Sequence, residues 1–254
     1  MSKFAVILPA AGSSSRFKLQ PRKKPFVEIA GRAVWLRAAD PFLNHPQVVQ
    51  VIVVISPADH DWFREQYAPH LAFQNIDVVL GGAERADSVG NALARLKPEV
   101  EYIAVHDAAR PVLAVEWVNR VFAAAERDGA ALLATPITST IKRASAEGRV
   151  VETVPRAGLW AAQTPQVFRR GVLEEAYARR GDLQPTDEAS LVEALGHPVT
   201  LVEGSPLNIK ITAHEDLQFA ELALQALPKP STLSRLHPFR DDPETGLPST
   251  AADR

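Results

Sequence analysis

Phe4-Ala-Val-Ile-Leu8 leads directly into Pro9-Ala-Ala-Gly12-Ser-Ser-Ser-Arg16, and Lys23-Lys24-Pro25 follows a few residues later. The apolar run predicts a strand buried on both faces, as in a parallel sheet. The small residues after it let backbone N–H groups approach an anion closely. Arg16 and Lys24 add positive charge where phosphate oxygens would lie. These parts predict a phosphate-binding loop, although a tight turn followed by solvated basic side chains fits the loop alone equally well.

Short apolar runs alternate with helical segments along the chain. Strands are predicted at residues 4–8, 48–55, 76–80, 102–105, 130–135 and 198–202. Helices are predicted at residues 33–44, 60–67, 87–96, 116–128, 172–180, 187–194 and 215–227. This alternation predicts an α/β fold with a mainly parallel sheet and helices on both faces. Ligands of such sheets bind beyond the carboxyl ends of the strands, where the loops at 9–16, 81–88 and 106–111 are expected.

The composition excludes several classes of function. The chain has 254 residues, a formal net charge of −2 and no cysteine. Without a basic excess, a nucleic-acid partner is disfavoured. Without cysteine there is no disulfide, thiolate nucleophile or cysteine-ligated zinc. Because no apolar run has the length of a membrane span and no signal-peptide pattern is present, we expect a cytoplasmic protein with no membrane partner.

Two segments depart from the alternating pattern. Residues 138–158 predict an exposed β-hairpin with a glycine-containing turn. Because an isolated two-stranded hairpin is marginally stable in water, it should pack either against its own domain or against a second subunit, and the pattern favours neither. Residues 228–254 are rich in proline and poor in apolar residues, which predicts a disordered C-terminal tail.

Two further motifs lie at predicted strand ends. Gly81-Gly-Ala-Glu-Arg-Ala-Asp-Ser88 could hold a base or a phosphate, but alone it fits a well-capped helix better. In Val105-His-Asp107-Ala-Ala-Arg110-Pro111, Asp107 could hold Mg²⁺ that bridges phosphates, and Arg110 could bind a phosphate with two hydrogen bonds. A structural Asp–Arg pair is the alternative. We expect His106 to be structural, since no second histidine lies at ligand spacing.

The sequence combines several basic residues with one carboxylate at a strand end, and it lacks familiar hydrolase motifs. This combination suits transfer chemistry at phosphorus. If the attacking group is a phosphate monoester, its second pKa of about 6 leaves it largely dianionic at neutral pH. Such a reaction needs no general base, and the sequence offers no evident one.

Taken together, the motifs resemble one family. Pro9-Ala-Ala-Gly12, Arg16, Lys24, the segments from Gly81 and Val105, Thr164-Pro-Gln166, Thr186-Asp-Glu-Ala-Ser190 and Asn208-Ile-Lys210-Ile-Thr212 occur in this order. The chain closely resembles the 2-C-methyl-D-erythritol 4-phosphate cytidylyltransferases over roughly residues 3–227. The resemblance implies a Rossmann-like nucleotidyltransferase fold, one domain over residues 1–227, and a homodimer whose arm, residues 138–158, reaches the neighbouring site. It also implies cytidylyl transfer from CTP to methylerythritol phosphate with Mg²⁺ or another divalent cation, in non-mevalonate isoprenoid synthesis.

The resemblance further implies roles for individual residues. Arg16 and Lys24 would stabilise the transition state, and Asp107 would hold the metal. The residues implied in CTP binding are Ala10, Ala11, Gly12, Gly82 and Ser88. The residues implied in binding the acceptor phosphate are Arg110, Thr140, Arg156 and Lys210, of which Arg156 and Lys210 are also catalytic. Thr140 and Arg156 would act on the partner's site.

Some alternatives stay open at this point. The family usually has a Pro-Lys-Gln type of sequence at the catalytic lysine, whereas this chain has Lys23-Lys24-Pro25. The register favours Lys24, with Lys23 adjacent. The acceptor could be another sugar-alcohol phosphate, such as ribitol 5-phosphate. A non-catalytic nucleotide-binding protein would be expected to lose Arg16, Lys24 or Asp107, and a dinucleotide-dependent oxidoreductase would need a glycine fingerprint that the first loop lacks.

Overall fold

The computed structural model describes residues 1–12 and 23–228, and within them the chain alternates between strands and helices. The strands are β1 Phe4–Pro9, β2 Glu28–Ile29, β3 Arg32–Ala33, β4 Val48–Ile55, β5 Ile76–Leu80, β6 Tyr102–Val105, β7 Ala130–Pro136, β8 Ile141–Ala144, β9 Val150–Val154, β10 Trp160–Arg169 and β11 Thr200–Glu203. The helices are α1 Val34–Leu43, α2 His60–Gln66, α3 Ala68–Phe73, α4 Arg85–Leu93, α5 Val115–Asp128, α6 Arg170–Ala178, α7 Glu188–Ala194 and α8 Glu215–Ala226, with 3₁₀ turns at Lys24–Phe26 and Pro57–Asp59.

Seven strands form one central sheet in the order β11-β7-β10-β6-β1-β4-β5. Neighbours are parallel except where β10 pairs with β6 and β7. The predicted mainly parallel α/β sheet is therefore confirmed. All six predicted strands are present, with ends that differ from the prediction by at most two residues.

Strand β10 lies in the middle of this sheet, although its sequence does not predict a strand. Pro165 argues against a central strand, because proline cannot donate to the ladder. The structure accommodates the proline in an irregularity: Ala162 pairs with Ala134, but the next regular pair joins Gln166 to Leu132. The residues between the two pairs are free of the regular ladder, so the proline removes no bond from it.

Helices cover both faces of the central sheet, as predicted. Phe4, Val6 and Leu8 of β1 lie in a core shared with α1, α2 and α5, whereas Ala5 and Ile7 lie in a second core with α4, α6 and α7. Full burial of one large apolar side chain stabilises the fold by about 1.5–3 kcal/mol. Since the two faces of β1 are equally apolar, this strand is fixed in the centre of the molecule, and its carboxyl end has a defined position.

A third, smaller core lies at the edge of the domain. Val27 and Ile29, around the short β2–β3 hairpin, pack with Ile211 and with Ala220 and Ala223 of α8. Lys24 lies three residues before the start of this cluster, and Lys210 directly precedes Ile211. We call this cluster the α8 core; it holds two distant basic segments side by side.

Side-chain hydrogen bonds define the starts of α4 and α8. Helix α4 begins at Arg85, because Glu84 and Asp87 form a reciprocal capping box. Helix α8 begins at Glu215, as predicted, and its N-cap residue His214 makes no side-chain capping hydrogen bond. The Asp216 carboxylate instead accepts hydrogen bonds from the backbone N–H and hydroxyl of Thr212, at 2.6 and 2.8 Å.

The hairpin predicted within residues 138–158 is present. Strands β8 and β9 form a two-stranded sheet of their own. Val150 and Val151 are each 63% exposed, so the hairpin presents apolar side chains to solvent. The tail expected at residues 228–254 lies, apart from Pro228, outside the described residues. Within the described ranges, the helices are too short or too polar to cross a bilayer.

Candidate active site

A cavity of about 450 Å³ opens at the carboxyl ends of β1 and β6, where the sequence placed the ligand site. Its wall brings together segments that are far apart in the chain. Of the predicted site residues, those lining the cavity are Ala10, Ala11, Gly12, Lys24, Gly82, Ser88, Asp107 and Lys210. The predicted CTP-binding segments therefore meet the predicted metal residue in one cavity.

Tight packing joins the loop after β1 to the loop after β5. The Gly81 N–H donates to the Ile55 carbonyl oxygen at 2.8 Å. A Cβ atom built on Gly81 would lie 2.5 Å from Ala11 Cβ and 2.9 Å from Ser88 Oγ. Only glycine fits this position without movement of its neighbours. Gly81 thus allows the loop after β5 to pack directly against the loop after β1.

Ser88 fixes the loop that follows the glycine pair. Its buried hydroxyl accepts a hydrogen bond from Gly82 N at 3.1 Å and donates to the Glu84 carbonyl oxygen at 3.1 Å. The start of α4 is thus both a capped helix terminus and part of the cavity wall. The two interpretations of this motif are compatible, since the cap fixes the loop that lines the pocket.

Asp107, two residues after the end of β6, lies among three basic side chains. Lys210 Nζ is 2.9 Å and Arg110 Nε 3.3 Å from Asp107 Oδ2, and Arg85 Nη2 is 3.6 Å from Oδ1. Burial opposes ionisation of this carboxyl, but the charges of Lys210, Arg85 and Arg110 outweigh it and hold its pKa well below the usual range. Asp107 is therefore an anion at neutral pH.

Arg85 and Glu188 are functional candidates for which the sequence alone predicts no role. Arg85 lines the cavity and binds the buried Glu188 carboxylate through both terminal nitrogens, at 2.6 and 2.9 Å. The Tyr177 hydroxyl donates to the same carboxylate at 3.2 Å. Burial lowers the pKa of Arg85, but the ion pair with Glu188 more than offsets this effect and raises it. The two residues are separated by 103 positions, so no local pattern predicts their contact.

His106 is buried and anchors the loop that carries Asp107. Its ring nitrogens lie 3.0 Å from the Thr164 hydroxyl and 3.0 Å from the Arg110 carbonyl oxygen. The same hydroxyl accepts from Asp107 N at 3.0 Å. Burial lowers the pKa of His106 to about 4, so the ring is neutral at pH 7. This placement agrees with a structural role.

The adjacent lysines have different surroundings. Lys23 Nζ forms an ion pair with Asp59 at 2.5 Å and donates to Ser56 Oγ at 2.9 Å. Lys24 begins the 3₁₀ turn and lines the cavity with Asp107. Of the two lysines, Lys24 is therefore the one in the cavity wall.

Three other predicted residues, Arg110, Thr140 and Arg156, are not part of the cavity wall. Arg110 touches Asp107 but also donates to the Asn208 carbonyl oxygen at 2.7 Å. Thr140 and Arg156 are exposed in the hairpin region, where the Arg156 guanidinium donates to the Thr138 carbonyl oxygen. Arg16 lies outside the described residues.

The donor set fits one kind of metal ion. Within residues 1–12 and 23–228, no three carboxylate or histidine side chains are grouped as ligands for a metal. A single ionised carboxylate suits Mg²⁺, which keeps several waters and takes other ligands from substrate phosphates. Asp107 therefore fits a cation that arrives with a nucleotide, and the described residues do not form a cage for a permanently bound metal.

Comparison with known proteins identifies a family. The family model for 2-C-methyl-D-erythritol 4-phosphate cytidylyltransferase, IspD, matches residues 4–226. The enzyme of that name from Rhodopirellula baltica is 42% identical over 231 residues, which cover 87% of this chain and 94% of the relative. A bifunctional IspD/IspF enzyme from Desulfotalea psychrophila is 40% identical over 93% of this chain, which spans only 60% of that relative's length. The crystal structure of Francisella tularensis IspD superimposes with a TM-score of 0.75 at 31% identity, covering 88% of this chain and all of that one.

Proposed function

Because the chain belongs to the 2-C-methyl-D-erythritol 4-phosphate cytidylyltransferase family, we propose that the cavity around Asp107 transfers the cytidylyl group of CTP to methylerythritol phosphate. The reaction gives 4-diphosphocytidyl-2-C-methyl-D-erythritol and pyrophosphate, in isoprenoid precursor synthesis. One observation carries the assignment to this cavity. An ionised carboxylate with Lys210 at 2.9 Å faces the loop after β1, in a cavity large enough for a nucleotide.

The chemistry requires one bond to form and one to break. A phosphate oxygen of the acceptor attacks the α-phosphorus of CTP, and the bond from that phosphorus to the β-phosphate bridging oxygen breaks. Pyrophosphate leaves with that electron pair. The acceptor phosphate is largely dianionic at neutral pH, since its second pKa is about 6. No side chain has to remove a proton, and His106, neutral and buried, is not needed as a base.

The protein's main contribution is positioning and charge. The backbone of residues 10–12 and the Gly82–Ser88 loop would bind the nucleotide. Lys24, together with Arg16, would stabilise the negative charge that develops around the α-phosphorus. Because Lys23 is held by Asp59, we assign this role to Lys24.

Asp107 would hold Mg²⁺, or another divalent cation, together with the triphosphate. When bound, such a cation neutralises charge on the phosphates and on the leaving pyrophosphate. Three positive side chains keep Asp107 ionised and therefore ready to act as a ligand. Lys210 and Arg110 approach Oδ2, whereas Oδ1 faces Arg85 at a longer distance.

We also propose that the acceptor site is completed by a second subunit. Thr140 and Arg156 lie in the exposed hairpin region, outside the cavity wall of their own chain. The exposed Val150 and Val151 of this hairpin give a partner an apolar surface to cover. In this arrangement Arg156 and Thr140 of one subunit meet Lys210 and Arg110 of the other around the acceptor phosphate.

We place the enzyme in the cytoplasm, with no nucleic-acid or membrane partner. A net charge of −2 and the absence of cysteine support this proposal.

Pyrophosphate release tests the assignment directly. With CTP and Mg²⁺, methylerythritol phosphate should release pyrophosphate with a far higher kcat/KM than ribitol 5-phosphate. A preference for ribitol 5-phosphate would move the protein to the other acceptor class. CTP binding without release with either acceptor would instead indicate a nucleotide-binding protein that is not a catalyst.

Subunit mixing tests the hairpin arm. Arg156→Ala and Lys24→Ala subunits, each inactive alone, should regain activity in purified heterodimers, because one composite site would then be intact. Failure of verified heterodimers to recover activity would contradict an arm that acts on the partner's site.

A further inference from the structure

The carboxylate of Glu188 is completely buried, and it binds Arg85 in the wall of the cavity. It is the first residue of α7, where a negative charge is favoured by the helix dipole. Gln166 of β10 fixes this end of the helix: its side-chain nitrogen donates to Asp187 at 2.8 Å, and its oxygen accepts from the backbone N–H after Glu188 at 3.0 Å. The carboxylate is therefore held at a defined place relative to the sheet.

The Arg85 guanidinium lies between this carboxylate and that of Asp107. Its two terminal nitrogens bind Glu188 at 2.6 and 2.9 Å, whereas Nη2 stays 3.6 Å from Asp107 Oδ1. At 3.6 Å, Arg85 Nη2 and Asp107 Oδ1 form an ion pair but are too far apart for a hydrogen bond. The other two bases around Asp107 lie nearest to its second oxygen, Oδ2. Oδ1 is thus the oxygen on which a cation would meet the least competition from hydrogen bonds.

The position of Arg85 depends on the charge of Glu188. A partly buried guanidinium that loses its carboxylate partner is driven toward another anion, because an unpaired buried charge is strongly unfavourable. Asp107 Oδ1 is within reach, and a small shift of Arg85 would give a charge-assisted hydrogen bond of about 2.8 Å. Such a bond would occupy the oxygen that the cation needs.

We propose that Glu188 is a positioning residue that holds Arg85 off Asp107 Oδ1 and so keeps this oxygen open to the divalent cation bound with CTP. The inference rests on the proposed function, in that it takes CTP as the nucleotide. It assigns Glu188 an effect on cation binding, which acts through Arg85 and requires no contact between Glu188 and the substrate.

The test is calorimetric titration of the full chain with CTP, without acceptor, first in chelator and then over a series of free Mg²⁺ concentrations. In Glu188→Gln, metal-free CTP affinity should match that of the unmodified protein, because Arg85 remains in the wall. We define the Mg²⁺ midpoint as the free Mg²⁺ concentration that gives half of the maximal gain in CTP affinity. This midpoint should rise roughly 10- to 100-fold, which is the effect typical of residues that orient metal ligands. A merely structural role would weaken CTP binding in both conditions.

The double variant Glu188→Gln/Arg85→Ala shows whether Glu188 affects Mg²⁺ binding through Arg85. It removes both buried charges together, so it should fold even where Glu188→Gln does not, and its Mg²⁺ midpoint should return to that of the unmodified protein. Arg180→Gln is a matched control, since it breaks a different ion pair to α4, Arg180–Asp87 at 2.7 Å, and should leave the Mg²⁺ midpoint unchanged.

Two results would overturn the proposal: an unchanged Mg²⁺ midpoint in folded Glu188→Gln, or a midpoint in the double variant that stays raised. Both measurements use CTP and MgCl₂ without an acceptor. They therefore stand even if pyrophosphate release shows that methylerythritol phosphate is not the acceptor. If the unmodified protein binds no CTP at all, the proposed function fails as well as this inference.

Discussion

Replacement of Gly81 by alanine is the sharpest test of how the cavity is built. The new Cβ atom would lie 2.5 Å from Ala11 Cβ, although carbon atoms in contact normally stay about 3.5 Å or more apart. Ala11 would therefore have to move by about 1 Å, since Ser88 on the other side is held by two hydrogen bonds. We expect overpacking to lower the free energy of unfolding by about 1–3 kcal/mol.

The same shift should disturb catalysis more than stability. Ala11 lies in the loop proposed to bind the nucleotide, and a misplacement of about 1 Å can reduce a rate roughly 100-fold. Urea unfolding, calorimetric CTP binding and pyrophosphate release should therefore show a modestly destabilised protein with severely reduced kcat/KM.

Gly90→Ala provides the matched control. Gly90 lies inside α4, and its added Cβ would be 3.7 Å from Tyr177, an ordinary contact. Alanine is the better helix former there, so this variant should gain about 0.5–1 kcal/mol of stability and keep its activity. If Gly81→Ala unfolds at the same urea concentration as the unmodified protein and binds CTP equally well, the packing argument for the cavity is wrong.

Three further variants separate catalytic from structural groups. Lys24→Ala should lower kcat about 10²- to 10³-fold, as expected for loss of a charge that acts in the transition state. Lys23→Ala removes the ion pair with Asp59 and the hydrogen bond to Ser56, both outside the cavity wall, and should change stability by no more than about 1 kcal/mol. Equal kcat losses in the two variants would refute the assignment. The lowered pKa of His106, about 4 against about 6.5 when unfolded, means that the unfolded chain binds the proton first. The free energy of unfolding should thus fall by roughly 3 kcal/mol between pH 6.5 and 4, and His106→Asn should flatten this slope in urea titrations; an equally steep slope in the variant would exclude His106 as the cause.

Much of the fold could be predicted from the sequence because most core strands are continuous apolar runs. Residues 48–55, 76–80 and 102–105 were placed with the ends that the structure shows. Strand β10 was missed for a physical reason: Pro165 and polar neighbours interrupt its apolar pattern, and the irregular pairing with β7 that tolerates them is a property of the sheet.

The candidate site could be predicted from the sequence only where its residues lie in a short motif at the end of a strand. Asp107 and the glycine pair stand at strand ends, so the parallel sheet brings them together. The partnership of Arg85 with Glu188 joins segments 103 residues apart and leaves no local pattern. Similarly, the choice between Lys23 and Lys24 depended on where Asp59 lies, which the sequence could not show.

The α8 core has a consequence for how the protein loses activity. Val27, three residues after Lys24, and Ile211, directly after Lys210, both pack in this small cluster, which is separate from the two large cores of the sheet. A small satellite cluster opens at a lower free energy than the central sheet, in a partial unfolding that leaves most of the molecule native. Opening of α8 would release both lysine-bearing segments at once. Heating or denaturant should therefore inactivate the protein while its spectroscopic signal is still that of a folded one. Lys24 and Lys210 should leave their native positions together and return to them together.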